Sequence, residues 1–460
     1  MITSLVVLLT TLISGCAQKE SSSSAPAESP ILVLGIDGLE WNVILPMIRA
    51  GRLPEMAKLM EQGSYGLMRT LYPTLSPPIW TTVATGKLPP EHGIIDFIRP
   101  QREVGEPQML CNLDRRTKAF WNIAGEYDKR VAVIGWWMTF PAEPVNGIMV
   151  AQTNTTEQLD VGYGRAVWKG RLIKGVPGQI YPPERHDEIM GLLVDFDAQF
   201  PQHTRTIFGK FPYPLTALGQ RLWETSLWSL RADLAYLTIA ETLLRDDPPY
   251  DILAVYFGGP DVASHHFWRY TYPDEFTHPP GHEEIANLGH IIEDYYEYID
   301  TVIGRLRALS PEGTRVLLMS DHGMRAFNQT MPFDPHSIPR NVKSGHHLRA
   351  EPAVVIAAGQ GILKLPGAKS PAALTRDDLP VLCSVLDITP MILALMGIPV
   401  GEDMPGLPAF LDPGFRAAHP VETVPTHEEE AWRQAHQAGA VEIPGQEERL
   451  EQLRSLGYIQ

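Results

Sequence analysis

Residues 31–410 of this chain predict an α/β/α sandwich with a largely parallel central sheet and an inserted cap region. Three observations carry that reading. Five apolar runs of strand length recur without polar alternation, as expected for strands buried on both faces. Stretches with helical periodicity lie between them. Three of the runs end in, or shortly before, an aspartate, and open α/β sheets bind ligands beyond the carboxyl ends of their strands.

The first run is Ile31-Leu-Val-Leu-Gly-Ile, closed by Asp37-Gly38. Arg130 to Trp136 is the second, Asp251 to Phe257 the third, Arg315 to Asp321 the fourth and Ala353 to Gly359 the fifth. Glu283 to Leu309 carries the clearest helical stripe, through Ile285, Leu288, Ile291, Ile292, Tyr295, Ile299, Val302 and Leu306. Leu230 to Leu244 and Ser384 to Met396 have similar spacing. Between Thr155 and Tyr213 periodicity is poor, prolines are many and Arg165, Lys169, Arg171 and Lys174 add charge, so 155–213 reads as a cap inserted over the strand ends.

At 460 residues the chain is long enough for a large core. A formal charge of -16 argues against a nucleic-acid polymer as partner. The 41 prolines point to many loops and sharp turns. Cysteine occurs only at 16, 111 and 383, so any metal must be held by histidine and carboxylate.

Leu5 to Ile13 is apolar except for Thr10 and Thr11, too short to span a bilayer and suited to the core of a secretory signal. It runs into Ile13-Ser-Gly-Cys16, which resembles the lipobox of bacterial lipoproteins. That resemblance implies cleavage before a lipidated Cys16 and export to a membrane-anchored position; a plain secretory signal or an uncleaved hydrophobic end is the alternative. Met1 to Ser4 departs from the usual pattern in having no Lys or Arg. Residues 17–30 read as a Ser-, Ala- and Pro-rich tether of roughly 20 Å if it behaves as a coil. At the other end, 411–460 reads as an extension with a surface helix over Glu447 to Leu456.

The strand-terminal aspartates have histidines close by. Asp261 and His265 stand four apart, as on one helical face. His322 follows Asp321 directly, and Gly345-His346-His347 precedes the fifth run. With Asp37 these residues offer three carboxylates and three imidazoles, a donor set suited to zinc, manganese or iron rather than calcium. Any one of these histidines, taken alone, reads more simply as a polar loop residue; the joint pattern is what points to metal.

Ser76 follows Tyr72-Pro-Thr-Leu and precedes Pro77-Pro78, placing it at or near a helix N-cap. A capping serine is the plain interpretation. A helix N-terminus also favours bound phosphate, and a neighbouring metal would activate the hydroxyl as a nucleophile.

Taken in order, these stretches resemble the alkaline phosphatase superfamily in its type I phosphodiesterase/nucleotide pyrophosphatase-like branch. The matches are Gly35-Ile-Asp37-Gly38, Pro73-Thr-Leu-Ser76-Pro-Pro with Ala84-Thr-Gly86, Pro89-Pro-Glu-His92-Gly, Asp261 to His265, Ser320 to Met324, Gly345-His346-His347, and Leu386-Asp-Ile-Thr-Pro390 through Gly397-Ile-Pro. The resemblance implies one metal on Asp261, His265 and His347 and a second on Asp37, Asp321 and His322, with the Ser76 oxygen toward it. Either His346 or His347 fits the third slot. It implies a metal-dependent hydrolase of small phosphate esters, in which Ser76 attacks phosphorus and the resulting phosphoserine is hydrolysed. Phosphoryl transfer to an acceptor other than water, and a non-catalytic binding scaffold, are the rival readings. Nucleotide pyrophosphatases carry Thr at the Ser76 position and Asn where Ile79 stands; sulfatases carry Arg where Trp80 stands. Trp136, Trp137, Phe267, Trp268 and Tyr270 suit either core packing or stacking on a substrate ring.

Overall fold

The structure is a computed structural model. It describes residues 29–429 and Trp432, apart from 100–108, 153, 161–165, 173–177, 195, 337–342, 349–351 and 367–368. The expected signal, Cys16, nearly all of the tether and the Glu447–Leu456 helix lie outside the described residues.

The nine strands of the main sheet are β1 (Ile31–Ile36), β2 (Ser64–Arg69), β3 (Val131–Ile134), β4 (Gly147–Val150), β5 (Ile180–Tyr181), β6 (Ile252–Phe257), β7 (Arg315–Met319), β8 (Ala353–Ala358) and β9 (Val381–Ser384). Their order across the sheet is β9-β2-β8-β7-β1-β6-β3-β4-β5. Two strands run against the rest: β8, which is antiparallel to β7 and β2, and β5 at one edge. The runs expected to be strands therefore are strands, and the sheet is largely parallel.

Helices cover both faces: α1 (Trp41–Arg49), α2 (Pro54–Gln62), α3 (Ser76–Thr85), α4 (Phe120–Glu126), α5 (Phe196–Phe208), α6 (Ala217–Asp246), α7 (Gly259–Thr271), α8 (His282–Leu288), α9 (Ile291–Leu309) and α10 (Ile388–Leu395). Strand side chains alternate between two cores. In β1, Leu32, Leu34 and Ile36 pack with α1, α2, α6, α7 and α9, while Ile31 and Val33 pack with α3, α4 and α10. This alternation is why the strands read as unbroken apolar runs.

Two helical expectations need correction, and the third, Leu230 to Leu244, holds inside a longer helix. The stripe over Glu283 to Leu309 is two helices, α8 and α9, parted at Gly289 and His290. A Cβ at Gly289 would lie 2.6 Å from the Ile285 carbonyl oxygen and 2.9 Å from that of Tyr270. The glycine thus lets α7 close against the break. Leu230 to Leu244 is the buried half of the longer α6, and Ser384 to Met396 is the end of β9, a 3-10 turn (Val385–Asp387) and the short α10.

The region expected to lack periodicity contains a hairpin (Asn154–Asp160 with Ala166–Leu172) and α5. In α5, Phe196, Phe200 and Phe208 join the core, and the Phe208 ring stands 5.3 Å from Trp223 and 5.8 Å from Tyr295. Cys111 and Cys383 are buried and unpaired. Among the described residues no helix is long and apolar enough to cross a membrane.

Candidate functional site

The three strands that end in aspartates, β7, β1 and β6, are neighbours at the centre of the sheet. Their carboxyl ends deliver Asp321, Asp37 and Asp261 to one place. Asp37 follows β1 directly, and Gly38 turns the chain with φ +68. A Cβ on Gly38 would lie 2.8 Å from Asp261 Cα, so only glycine lets the Asp37 turn approach Asp261 this closely.

Asp261 sits in the first turn of α7, with His265 one turn on. Asp233 of α6 fixes that turn: its carboxylate accepts from Gly258 N at 2.9 Å, Gly259 N at 3.0 Å and the Tyr295 hydroxyl at 2.9 Å. Burial pushes the Asp233 carboxyl up to about 7, against the pull of those donors. Glu40 braces the opposite side, its Oε2 accepting from Met324 N at 3.1 Å and so tying the Asp37 turn to the Asp321 turn.

The imidazoles of His265 and His322 are aimed by their far nitrogens. His265 Nδ1 faces the Gly345 carbonyl at 2.8 Å, leaving Nε2 at 3.4 Å from Asp261 Oδ1. His322 Nδ1 faces the Gly323 carbonyl at 3.3 Å, leaving Nε2 at 3.4 Å from Asp37 Oδ1 and 3.2 Å from Asp321 Oδ2. His347 stacks on His322 with ring centroids 3.7 Å apart, and its Nε2 lies 3.9 Å from Asp261 Oδ1. Burial holds His265 and His347 well below the usual histidine range and lowers His322, so all three stay neutral, the form that binds metal. Burial, then the neighbouring Asp37, pushes Asp321 well above the carboxylate range.

Among the described residues, two groups have potential ligand atoms within 4.8 Å of one another: Asp261, His265 and His347, and Asp37, Asp261 and His322. Asp261 belongs to both. Asp321 adjoins the second group through His322. Of the pair at 346–347, His347 enters a group, while His346 Nδ1 accepts from the backbone N–H of His347 at 2.7 Å and of Leu348 at 3.0 Å.

Asp37 Oδ1, Asp321 Oδ2 and His322 Nε2 are buried, face one another and make no hydrogen bond. Two carboxylate oxygens held together in a dry site with a neutral imidazole fit a divalent cation, which would satisfy all three.

Ser76 is buried and is the first residue of α3; the N-cap position falls to Leu75, which makes no side-chain cap, so Ser76 is not a capping serine. Pro77 and Pro78 suit the first turn, and Gly86 closes the helix with φ 67 and its N–H on Thr82 O. The chain on both sides of Ser76 is tied to candidate ligand residues. Thr74 Oγ1 donates to the His347 carbonyl, and Trp80 Nε1 donates to Asp37 Oδ2 at 3.1 Å.

Ile79 is fully buried in the core, so it offers nothing to the site. Trp136, Phe267, Trp268 and Tyr270 are buried core residues, which decides their role; Trp137 is half-buried beside Tyr256. Sequence reasoning missed Asp233, Glu40, Tyr256 and Lys343. For Tyr256 there was a signal, because a tyrosine in a buried strand needs an acceptor for its hydroxyl.

The chain is similar to several solved structures. Phosphonoacetate hydrolase from Sinorhizobium meliloti 1021, in complex with phosphonoformate, has 16% identity over 65% of this chain and 57% of that chain, with a TM-score of 0.34. Human ectonucleotide pyrophosphatase / phosphodiesterase 5 has 11% identity over 80% of this chain and 95% of that chain, at 0.44. A 2-O GAG sulfatase has 12% identity over 87% and 76%, at 0.46. The chain thus spans 57% of the length of the first of these. The family model described as type I phosphodiesterase / nucleotide pyrophosphatase matches residues 31–377, most of the chain, and the chain belongs to that family.

Proposed function

We propose that the protein is a metal-dependent hydrolase of small phosphate esters, with Ser76 as nucleophile. The observation that carries this reading is the convergence of Asp37 Oδ1, Asp321 Oδ2 and His322 Nε2, buried and without hydrogen bonds, at the ends of two adjacent strands. Asp261, His265 and His347 would hold one divalent ion, and Asp37, Asp321 and His322 a second. Zinc is the first choice for this donor set, with manganese or iron as alternatives. Bound there, the ions would lower the serine hydroxyl's pKa and neutralise charge on the phosphoryl oxygens.

The chain's own groups divide the remaining work. The ties through Thr74 and Trp80 fix the chain on both sides of Ser76, and in the first turn of α3 only the Ser76 N–H would be left for an anionic ester, since Pro77 and Pro78 have none and that of Ile79 bonds the Leu75 carbonyl. Lys343 is 3% exposed, with Nζ 3.5 Å from His346 Nε2. Burial lowers its ammonium to about 7, so at or below neutral pH it would supply the positive charge toward the phosphoryl oxygens that the Ile79 position lacks. The insertion at 155–213 would carry substrate choice, and lipidation of Cys16 would anchor the exported protein to a membrane.

Hydrolysis of para-nitrophenyl phosphate, its phenylphosphonate ester and bis-para-nitrophenyl phosphate tests the proposal, with Ser76→Ala in parallel. Activity abolished by the substitution and by chelator is expected, and the ranking of esters separates monoesterase from diesterase. A fully active Ser76→Ala protein would overturn the nucleophile. Radiolabelled palmitate that enters the parent but not Cys16→Ser is the expected sign of the anchor; equal labelling refutes it.

A further inference from the structure

Asp37 is held by two neutral donors that act on the same oxygen. Tyr256, on β6, donates its hydroxyl to Asp37 Oδ2 at 2.6 Å, and Trp80, on α3, donates its indole N–H to the same atom at 3.1 Å. The other oxygen, Oδ1, makes no hydrogen bond and lies 3.4 Å from His322 Nε2. The carboxylate is therefore divided, with one oxygen engaged by the protein and the other turned to the ligand cluster.

The rings that make this division are themselves fixed. Trp80 meets Tyr256 edge-on at 5.5 Å and Trp136 edge-on at 5.1 Å, and Trp136 Nε1 donates to the Trp80 carbonyl at 3.3 Å. The strand beneath them makes room: a Cβ at Gly35 would lie 2.9 Å from the Trp80 ring and 3.0 Å from that of Trp136. Glycine inside a strand weakens it, so its place here marks the close approach of the rings to β1. Trp80 also stands one helical turn after Ser76, so a single hydrogen bond links the nucleophile's helix to the strand that carries Asp37.

We infer that Trp80 and Tyr256 are positioning residues that commit Asp37 to a cation through Oδ1 alone, and so set the affinity of one of the two ion positions. This rests on the two-ion reading above. The plain alternative is that a buried indole and a buried phenol have found the nearest acceptor. The alternatives differ in what happens to metal, because outer partners that orient a ligand typically change affinity about 10–100-fold.

The test is calorimetric titration of the chelator-stripped full chain with zinc, together with the visible absorption of its cobalt-substituted form. Tyr256→Phe keeps the ring and removes the hydroxyl; Trp80→Phe removes the second donor. Each is expected to bind one zinc ion at parental affinity and the other about 10–100-fold more weakly. The cobalt bands of that one position should shift, and Asp37→Asn should weaken the same ion. Tyr298→Phe, whose buried hydroxyl makes no hydrogen bond, should leave both ions unchanged. Two ions at parental affinity in Tyr256→Phe would overturn the inference. Equal weakening of both ions, with a matching fall in the stripped protein's thermal midpoint, would also overturn it, by assigning the residues to packing. A parent that binds no zinc removes both this inference and the enzymatic reading, whereas two bound ions without hydrolysis remove only the latter.

Discussion

Replacing Gly38 with alanine asks whether the two carboxylates converge only because the turn between them has no side chain. Two separate costs are built into the position. The backbone lies in the left-handed region, φ +68, which costs a non-glycine residue about 1–2 kcal/mol. The new Cβ would also lie 2.8 Å from Asp261 Cα and 2.9 Å from Asp261 Cβ, where carbons pack at about 3.5–4.0 Å. The Asp37 turn and the start of α7 must then separate by about 0.7 Å or more, an overpacking cost of about 1–3 kcal/mol. The sum is about 2–5 kcal/mol, within the stability of an ordinary domain, so the variant should still fold when cool. A shift of that size exceeds the tolerance of about 0.2 Å on ligand distances. The expected result is a lower urea midpoint at unchanged m-value in the metal-free protein, with loss of the ion that needs Asp37. Gly51→Ala is the control, since φ there is +72 but nothing lies within 4 Å of its Cβ. It should cost only the backbone term, about 1–2 kcal/mol, and keep both metals. A Gly38→Ala protein no less stable than Gly51→Ala, with full metal content by atomic emission, would falsify the close-approach argument.

Other perturbations separate positioning from packing. Asp233 has its carboxyl pushed up to about 7 from 3.8, so between those values the folded chain holds a proton that the unfolded chain releases. Its contribution to stability is thus greatest below pH 4 and is lost as pH rises through about 7. Asp233→Asn should flatten that slope and cost about 1–3 kcal/mol by setting amide hydrogens against backbone donors; urea midpoints from pH 4.5 to 7.5 would show a parental slope if this is wrong. Glu143→Gln leaves the buried Arg115 guanidinium without its carboxylate and should cost about 3–5 kcal/mol in thermal unfolding, with metal content unchanged. Lys343→Met should lower kcat by about 100-fold while both ions stay bound, and an unchanged kcat would show that the ammonium does not reach the phosphoryl group.

Much of this was legible in the sequence, and the limits have physical causes. Buried parallel strands must be apolar on both faces, so the runs at 31, 131, 252, 315 and 353 announced themselves. Helical periodicity marked where helices run but not where they break, because Gly289 interrupts the chain without interrupting the apolar stripe. The segment around α5 was missed because Pro201 lies inside the helix and obscures the Phe196, Phe200, Phe208 pattern. Asp37, Asp261 and Asp321 were readable as ligand candidates from type and position; that β7, β1 and β6 are adjacent was not, since strand order is absent from local pattern. The residues that aim the ligands were hidden for the same reason: Asp233 acts on the start of α7 from α6, 25 positions away, and Tyr256 reaches Asp37 from 219 away.

Strand order also explains why the ligand set can exist on one edge of the sheet. Neighbouring strands lie about 4.8 Å apart, so residues leaving the same ends of β7, β1 and β6 arrive at the spacing that the proposed pair of cations would require. Three parallel strands supply Asp321, Asp37 and Asp261 in this way, but they cannot supply His347, which precedes a strand rather than following one. The antiparallel β8 removes that difficulty. Its first residue, Ala353, pairs with Met68 near the end of β2, and Val355 pairs with Met319 at the end of β7. The start of β8 therefore lies at the edge where the parallel strands finish, and His347, shortly before it in sequence, stacks on His322. Had β8 run parallel to β7, the same sequence would leave His347 at the opposite edge, a strand length from Asp261. The one reversed strand in the interior of the sheet is thus what closes the candidate metal site.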